Sequence, residues 1–573
     1  MARKVLNTMY VRPEMTRDGT GRLRETKPDF LLATIKDTET NHTELYIEEK
    51  PKVKFYVANK RQEFPAIYIP KADVSERLCR YTDREIELAT ALGKKSEFFD
   101  AIRGGNKYLF MRDVYRNPNL YMADIDVEDY FKSSFTWENG DVLKVPLKKG
   151  FSDIEVDISH YKGFPFSRTA PCAINTINHF DFSTKTFYST ILRNPANPQI
   201  AEMENNIQGF INNHMMPELL EEDKDCKFVF YFVNTEQEVI STYFSVIHRT
   251  EPDFVGFWAI DYDMLTILNR MKKLNMDIPG TICHPEVPDK FKYVHFHEDT
   301  TEISYGGDGG GGEKKAGHKS RRWHWFQASG KTQFYDQMSL YSNMRKIITL
   351  PSYRLDAIGL SEVKVQKVDY KDHGYTLKTA MRDNFQLFMR YALKDTYVQY
   401  KIEQKVDDLS KYILFTGNTR LQKGVKISYV IKNSIMDSFW KDGLVVGNTV
   451  SYDIKDFIPG AIVSDPQLLL KRGIKINGKE SFLFENVIDL DAASMYPNIM
   501  IFANVAKSTL LGRIYELVRR DEKTGKEIHM NISGPEINSS LQTIDASILD
   551  IGAKFFNLPN LESILKDYKE YTK

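Results

Sequence analysis

The sequence has little of several things that would point to a fold or a compartment. It holds four cysteines in 573 residues, Cys79, Cys172, Cys226 and Cys283. They lie far apart with no CxxC pair, so neither a zinc ribbon nor a disulfide framework is indicated. Lys+Arg and Asp+Glu are both 78, so the chain carries no net charge. It therefore offers no overall attraction to nucleic acid, and any such surface must be a local patch. The opening "MARKVLNTMYVRPEMTRDG" has no apolar core of signal-peptide length. No run approaches the ~18 apolar residues of a membrane span. These absences lead to the expectation of a soluble protein in a reducing cytoplasm, without membrane contact.

Hydrophobic residues make up 42% of the chain and aromatic residues 12%, enough to fill several cores. At roughly 150 residues per domain, about three to five domains are expected. Residues 1–145 mix short strand-like runs ("FLLATIKD", "ELYIEE", "VKFYVANK", "FPAIYIP") with a helical stretch near 83–103, an α+β pattern. From Phe151 onward, "FSDIEVDI", "PCAINTINHFDF", "KTFYSTIL", "CKFVFYFVN" and "DFVGFWAID" read as strands. The helix-like segments "IAEMENNIQGFINNHMM" and "EQEVISTYFSVIHRT" fall between them, which predicts an α/β core. A helix is expected from about 376 to 408, where apolar residues recur at spacings of three and four. The fold class expected is thus multidomain, α/β and α+β.

Residues 306–312, "GGDGGGG", form the one low-complexity segment, and "EKKAGHKSRRWHWFQ" follows it. Lys319, Arg321, Arg322 and Trp323 could touch a DNA strand by phosphate contact and base stacking. The other reading is a surface loop whose tryptophans tuck into the body.

The carboxylates carry more. "SDIEVD" places Asp153 and Glu155 two apart in a strand, on the same face. Two such groups repel, and a divalent cation is the natural way to hold both ionised. In "DFVGFWAIDYDMLTIL" a strand runs into a helix with Asp263 at the turn. "RYALKDTY" sets Tyr391 and Asp395 four apart on one helix face. The ordered set DxE, D, YxxxD suits a two-metal phosphodiester hydrolase, with Mg2+ or Mn2+ ions about 3.5–4 Å apart. A tyrosine there can orient the attacking water. The rival pair Asp124 and Asp126 in "MADIDVEDY" is set aside, because the text downstream of it does not match.

At this point the sequence resembles the family B DNA polymerases, above all those of T-even-type tailed phages. The likeness includes "SDIEVDISHYKGFPFS", "AINTINHFDFSTKTFYS", "TQFYDQMSLYSNMRKIITLPSYRLDAIGL" and "IPGAIV". It implies a ribonuclease H-like 3′–5′ proofreading exonuclease at 146–408, carrying the loop 306–322. A linking region, 409–480, would return to the N-terminal domain. The resemblance also implies metal ligation by Asp153, Glu155, Asp263 and Asp395, with Tyr391 beside them. Trp258 stands where the family usually has an asparagine that helps hold the DNA end.

"DAASMYPN" resembles the first polymerase motif of the family, in a partial palm at 481–550. By position, Asp491 would ligate both catalytic metals and Ala492 would lend its carbonyl. Ser494, Met495 and Tyr496 would line the nucleotide, Tyr496 as the gate against a ribose hydroxyl. "LPNLESILKDYKEYTK" resembles the start of the fingers at 551–573, where Lys569 and Lys573 would approach the triphosphate. No KxxxNSxYG or YGDTDS-like motif occurs in the sequence. The expectation is the N-terminal part of a split replicative polymerase, completed by a C-terminal chain bearing those motifs. The alternatives are a stand-alone exonuclease with a relic palm and a truncated form of a single-chain polymerase. Partners implied are primer–template DNA and dNTPs, and, through a holoenzyme, a sliding clamp and a single-strand-binding protein. The compartment implied is the cytoplasm, that of a host bacterium for a phage-encoded chain.

Overall fold

A computed structural model describes residues 2–448 apart from positions 18–22, 63–65, 67, 143, 300–319, 321, 346–349 and 423–425. Beyond 448 it describes only the short strands 474–476, 479–481, 516–520 and 527–531. Two compact units result, Met1–Lys455 and Asp456–Lys573. In the second, Ile474–Ile476 pairs with Lys479–Ser481, and Glu516–Arg520 with Glu527–Asn531. Of the partial palm expected at 481–550, only Ser481 and the pair Glu516–Arg520 and Glu527–Asn531 are described; "DAASMYPN", the expected start of the fingers at 551–573, and "IPGAIV" lie outside the described residues.

The first unit opens with an antiparallel sheet, β1 (Arg3–Val11), β2 (Phe30–Asp37) and β3 (Thr43–Glu49), in the order β1-β2-β3. A second sheet follows from β4 (Lys52–Ala58), β5 (Val74–Arg80) and β6 (Leu120–Tyr121). The helical stretch expected near 83–103 is two helices, α1 (Arg84–Ala91) and α2 (Lys95–Arg103). They precede α3 (Lys107–Tyr115) and α4 (Val127–Asn139).

The centre is an eight-stranded sheet. Its strands are β7 (Lys149–Val156), β8 (Ile174–Asp181), β9 (Thr186–Leu192), β10 (Lys227–Val233), β11 (Phe254–Phe257), β12 (Val294–His297), β13 (Trp325–Ala328) and β14 (Gln333–Asp336). The spatial order is β10-β9-β8-β7-β11-β14-β13-β12. Strand β8 is antiparallel to β7, while β11 and β14 run parallel to it.

Helices cover both faces. On one lie α5 (Glu236–Thr250) and α6 (Ile260–Lys273), packed through Val239, Tyr243, Met264 and Ile267 onto Ile154 and Val156. On the other lie α7 (Gln337–Met344), α8 (Leu355–Val363) and α9 (Phe385–Val406), where Phe388, Leu393 and Tyr397 meet Phe151 and Phe187. The alternation of β7 therefore sends Ile154 one way and Asp153 and Glu155 the other. Gly150 is required for close packing, since a Cβ there would come 2.3 Å from His179 Cε1.

Three expected elements differ. The single helix 376–408 is two, Leu377–Asp383 and α9, because Asn384 leaves helical geometry and caps α9 by accepting the Leu387 N–H. The segment "IAEMENNIQGFINNHMM" breaks at Asn206, whose side chain accepts from the Gly209 N–H. The strand in "DFVGFWAID" stops at Phe257, and its last residues begin α6.

Helix α10 (Ile427–Lys441) and strand β15 (Leu444–Val446) pack among the N-terminal elements. β15 pairs with Tyr68–Pro70, and Trp440 stacks on Trp137 with ring centroids 4.1 Å apart. Among the described residues, no helix is long and apolar enough to cross a membrane.

Candidate active site

Strand β7 and helix α9 build the site together. Asp153 and Glu155 project from one face of β7, and Asp395 comes down from α9. Carboxylate oxygens of the three lie within 4.8 Å of one another. Helix α9 is held at two places, one on the sheet and one on the turn Glu221–Asp223 that precedes β10. Lys149 Nζ on β7 donates to Glu403 and to Asp407, each at 2.6 Å. Further along, the buried Asp223 carboxylate accepts from the Tyr397 hydroxyl at 2.8 Å and from the Tyr400 hydroxyl and Lys401 Nζ at 3.0 Å. These contacts, all on the C-terminal side of Asp395, hold the helix that carries it against the central domain.

Asp263 lies outside this trio but within its field. It sits in the first turn of α6, 5% exposed, rather than at a loop turn. The start of α6 has no local side-chain cap, since Ala259 holds that position. The cap comes from Asp336 at the end of β14. One of its oxygens accepts the Ile260 N–H at 3.1 Å, and the other accepts the Ser339 N–H of α7 at 2.6 Å. One carboxylate thus fixes the first turns of two helices.

The electrostatics are those of crowded acids. Burial, then the Asp395 charge, pushes Asp153 up to about 7. Burial, followed by Asp153 and Asp395, holds Glu155 well above the usual carboxylate range. Burial, then Asp153, does the same to Asp263. Burial also raises Asp395, against the opposing charge of Lys367.

Lys367 is a residue that the sequence reading missed. It lies between α8 and α9 in an irregular segment, where no periodicity marks it. Its ammonium ion-pairs with Asp395 Oδ2 and stands 5.4 Å from the centre of the Tyr391 ring. Tyr391, one turn before Asp395, lies in the field of its carboxylate, whose charge raises the pKa of the phenol. The other Asp395 oxygen, Oδ1, is buried with no hydrogen-bond partner. Three carboxylates and one ammonium leave two negative charges, and one orphaned oxygen is free to ligate. That donor set, all hard oxygen, fits a divalent magnesium- or manganese-type cation.

A cleft of about 1370 Å³ lies beside the cluster, lined by Lys367, which pairs with Asp395, by Tyr391, and by the aromatic side chains of Phe164, Phe166, Trp258, Tyr262 and Tyr353 among others. Phe164 and Phe166 are 66% and 68% exposed. Trp258 packs in the core at the edge of this cleft, and its Nε1–H donates to the Tyr353 carbonyl at 3.1 Å.

The other predicted residues fall elsewhere. Trp323 is 7% exposed and packs with Leu6, Phe254 and Tyr412, so the described conformation tucks this tryptophan into the body. The Arg322 carbonyl accepts from the Ser339 hydroxyl at 2.7 Å. Lys319 and Arg321 lie outside the described residues, as do Asp491, Ala492, Ser494, Met495, Tyr496, Lys569 and Lys573. In the set-aside segment, Asp126 caps α4, and Arg420 pairs with Asp126, Glu128 and Asp129. A second group, Glu251, His284 and Glu286, is partly neutralised by Lys331, which pairs with Glu251 at 2.6 Å and Glu286 at 3.1 Å.

No family model matches the chain. Among curated proteins it is similar to the DNA-directed DNA polymerase of Escherichia phage RB69, 21% identical over 400 residues, which are 68% of this chain and 40% of that protein. It is also similar to the DNA polymerase of Thermococcus gorgonarius, 22% identical over 293 residues, 48% of this chain and 31% of that protein. The DNA polymerase delta catalytic subunit of Candida albicans is 23% identical over 289 residues, 48% of this chain and 24% of that protein. The chain thus spans 40% or less of the length of these relatives. Its distant homologues are DNA polymerases.

Proposed function

We propose that this chain carries the 3′–5′ proofreading exonuclease of a family B DNA polymerase. The observation that carries the reading is the convergence of Asp153, Glu155 and Asp395 within 4.8 Å at an aromatic cleft. The strand order β9-β8-β7-β11-β14, with only β8 antiparallel to β7, is that expected of a ribonuclease H-like domain. The similarity to polymerases supports the same reading.

Each residue then has a task. Asp153, Glu155 and Asp395 would hold the divalent cations, with Asp263 completing the set. When bound, those cations supply an activated water and charge stabilisation at the phosphate. Tyr391, on the cleft wall one turn before Asp395, would orient the water. Lys367 holds the Asp395 carboxylate in place and keeps the cluster ionisable by lowering its members' pKa values. The exposed rings of Phe164 and Phe166 offer faces on which unpaired bases stack.

The synthetic half of the reading rests on "DAASMYPN" and on the similarity to polymerases. It assigns Asp491 to the polymerase metals and requires a second aspartate-bearing palm strand from polypeptide beyond this sequence, joined or separate. DNA and dNTPs would be its ligands, and the cytoplasm its place.

The test is degradation of 5′-labelled single-stranded DNA. Wild-type chain should shorten it from the 3′ end with Mg2+ or Mn2+ and stop in EDTA. Asp153→Ala with Glu155→Ala should lower the rate by at least about 10³-fold while the chain stays folded. Undiminished degradation by that variant would reject the assignment.

A further inference from the structure

His324 faces the same cleft without belonging to the carboxylate cluster. It is 5% exposed, yet it lines the cleft beside Asp261 and Tyr262. Its ring is held from several sides. The Asp299 N–H donates to His324 Nδ1 at 3.1 Å, and Asp299 Oδ2 accepts the Trp323 N–H at 2.8 Å. Phe296 stacks on the imidazole, with 20° between the planes. Burial lowers the pKa of the ring, which keeps it neutral at neutral pH.

A neutral imidazole whose Nδ1 accepts must carry its proton on Nε2. Nε2 lies 3.9 Å from the Asp261 carboxylate, beyond hydrogen-bond range. The ring is thus a fixed N–H donor at the cleft wall whose donor capacity is not used up by its nearest acceptor.

We infer that His324 is a substrate-positioning residue, donating from Nε2 to an oxygen acceptor on a single DNA strand lying in the cleft. This rests on the exonuclease reading. The fixed ring contributes orientation rather than chemistry. It aligns the strand without losing side-chain entropy on binding, because Asp299 and Phe296 have already ordered it.

Three full-length variants test it, with affinity for 5′-fluorescein-oligo(dT) read by anisotropy in EDTA and degradation kinetics read in Mg2+. His324→Ala should weaken binding about tenfold, the factor that about 1.4 kcal/mol of hydrogen bonding is worth. His324→Gln, whose amide N–H reaches the Nε2 position, should restore most of the affinity. His324→Asn, which keeps only an acceptor near Nδ1, should behave like alanine. KM should rise in the alanine and asparagine variants with kcat within about twofold of wild type. Wild-type affinity in all three variants would overturn the inference. So would wild-type affinity in the asparagine variant with loss in the glutamine variant, since the Asp299 contact would then be what matters. Matching circular dichroism and Tm exclude misfolding as the cause. The two readings also fail separately. A wild-type chain that binds oligo(dT), yet degrades none with Mg2+, rejects the exonuclease reading and leaves the His324 contact to be judged by affinity alone.

Discussion

At the scale of single residues, the site is a balance between burial, repulsion and one lysine. Lys367 is the cation nearest the carboxylates, and its charge lowers the pKa of Asp153, Glu155 and Asp395. Lys367→Met should therefore raise those values further and move the acid limb of the exonuclease pH–rate profile to higher pH. The rate should fall about 10- to 100-fold, as for partners that orient metal ligands. An unmoved acid limb would show that the lysine does not tune the cluster. A second residue, His179, lies under β7 on the face away from the carboxylates. Its Nδ1 meets the Ser152 hydroxyl at 2.9 Å, and the Tyr243 hydroxyl donates to the same oxygen at 3.0 Å. Burial lowers the His179 pKa to about 3, against about 6.5 in an unfolded chain. Between those values the unfolded chain binds the extra proton, so the contribution is whole above about pH 6.5 and is lost as pH falls toward 3. Urea unfolding at pH 7 and pH 5 should show wild type losing stability over that interval and His179→Gln losing less. Asp153 with Glu155, and Tyr391 with Asp395, were legible because their spacing in strand and helix encodes a shared face, and Asp263 because it follows a strand that runs into a helix. Lys367 and His324 were not, because they reach the site from irregular segments whose direction depends on packing.

At the scale of elements, two carboxylates do the positioning. Asp336 caps both α6 and α7, so Asp336→Ala frees the Ile260 and Ser339 N–H groups together. The expected cost is about 1–2 kcal/mol per lost cap. The exonuclease rate should fall as well, because the first turn of α6 carries Asp263. Asp336→Asn should recover part of both, and equal damage from the two variants would mean the capping does not matter. Asp223 holds Tyr397, Tyr400 and Lys401 of α9. Asp223→Ala leaves two buried hydroxyls without their acceptor and removes one partner of the Lys401 ammonium, which Glu222 and Gln404 still engage; urea unfolding should show a loss of about 1–3 kcal/mol. Periodicity announced α5 and α9 plainly, since each buries one stripe against a sheet. It overran at Asn384 and at Asn206, where a short polar side chain competes for backbone N–H groups and starts a new helix. The cap of α6 could not be seen locally, because its donor and acceptor are 76 residues apart.

At the scale of the molecule, the first unit is joined across its sheets by a buried ion pair. Lys36 on β2 meets Asp253 at 2.7 Å, with both side chains wholly buried, and Asp253 also accepts the Lys148 N–H at 2.8 Å and a bond from the Thr43 hydroxyl. Asp253→Ala strands the lysine and should cost about 3–5 kcal/mol. Limited proteolysis should then separate the N-terminal sheets from the central sheet more readily than in wild type, and an unchanged cleavage pattern would count against this joint. The sequence by itself determined the alternation of strands and helices around Phe151 to Val406, the carboxylate set, and the likeness to polymerases. Those are local or ordered patterns, written in residue type and spacing. Only the tertiary structure decided which charge meets which. The closure of Asp395 on Asp153 and Glu155, the arrival of Lys367, the burial of Trp323 and the aim of His324 all depend on how distant segments pack. Burial sets the cost of each charge, and burial is a property of the assembled fold rather than of any window of sequence.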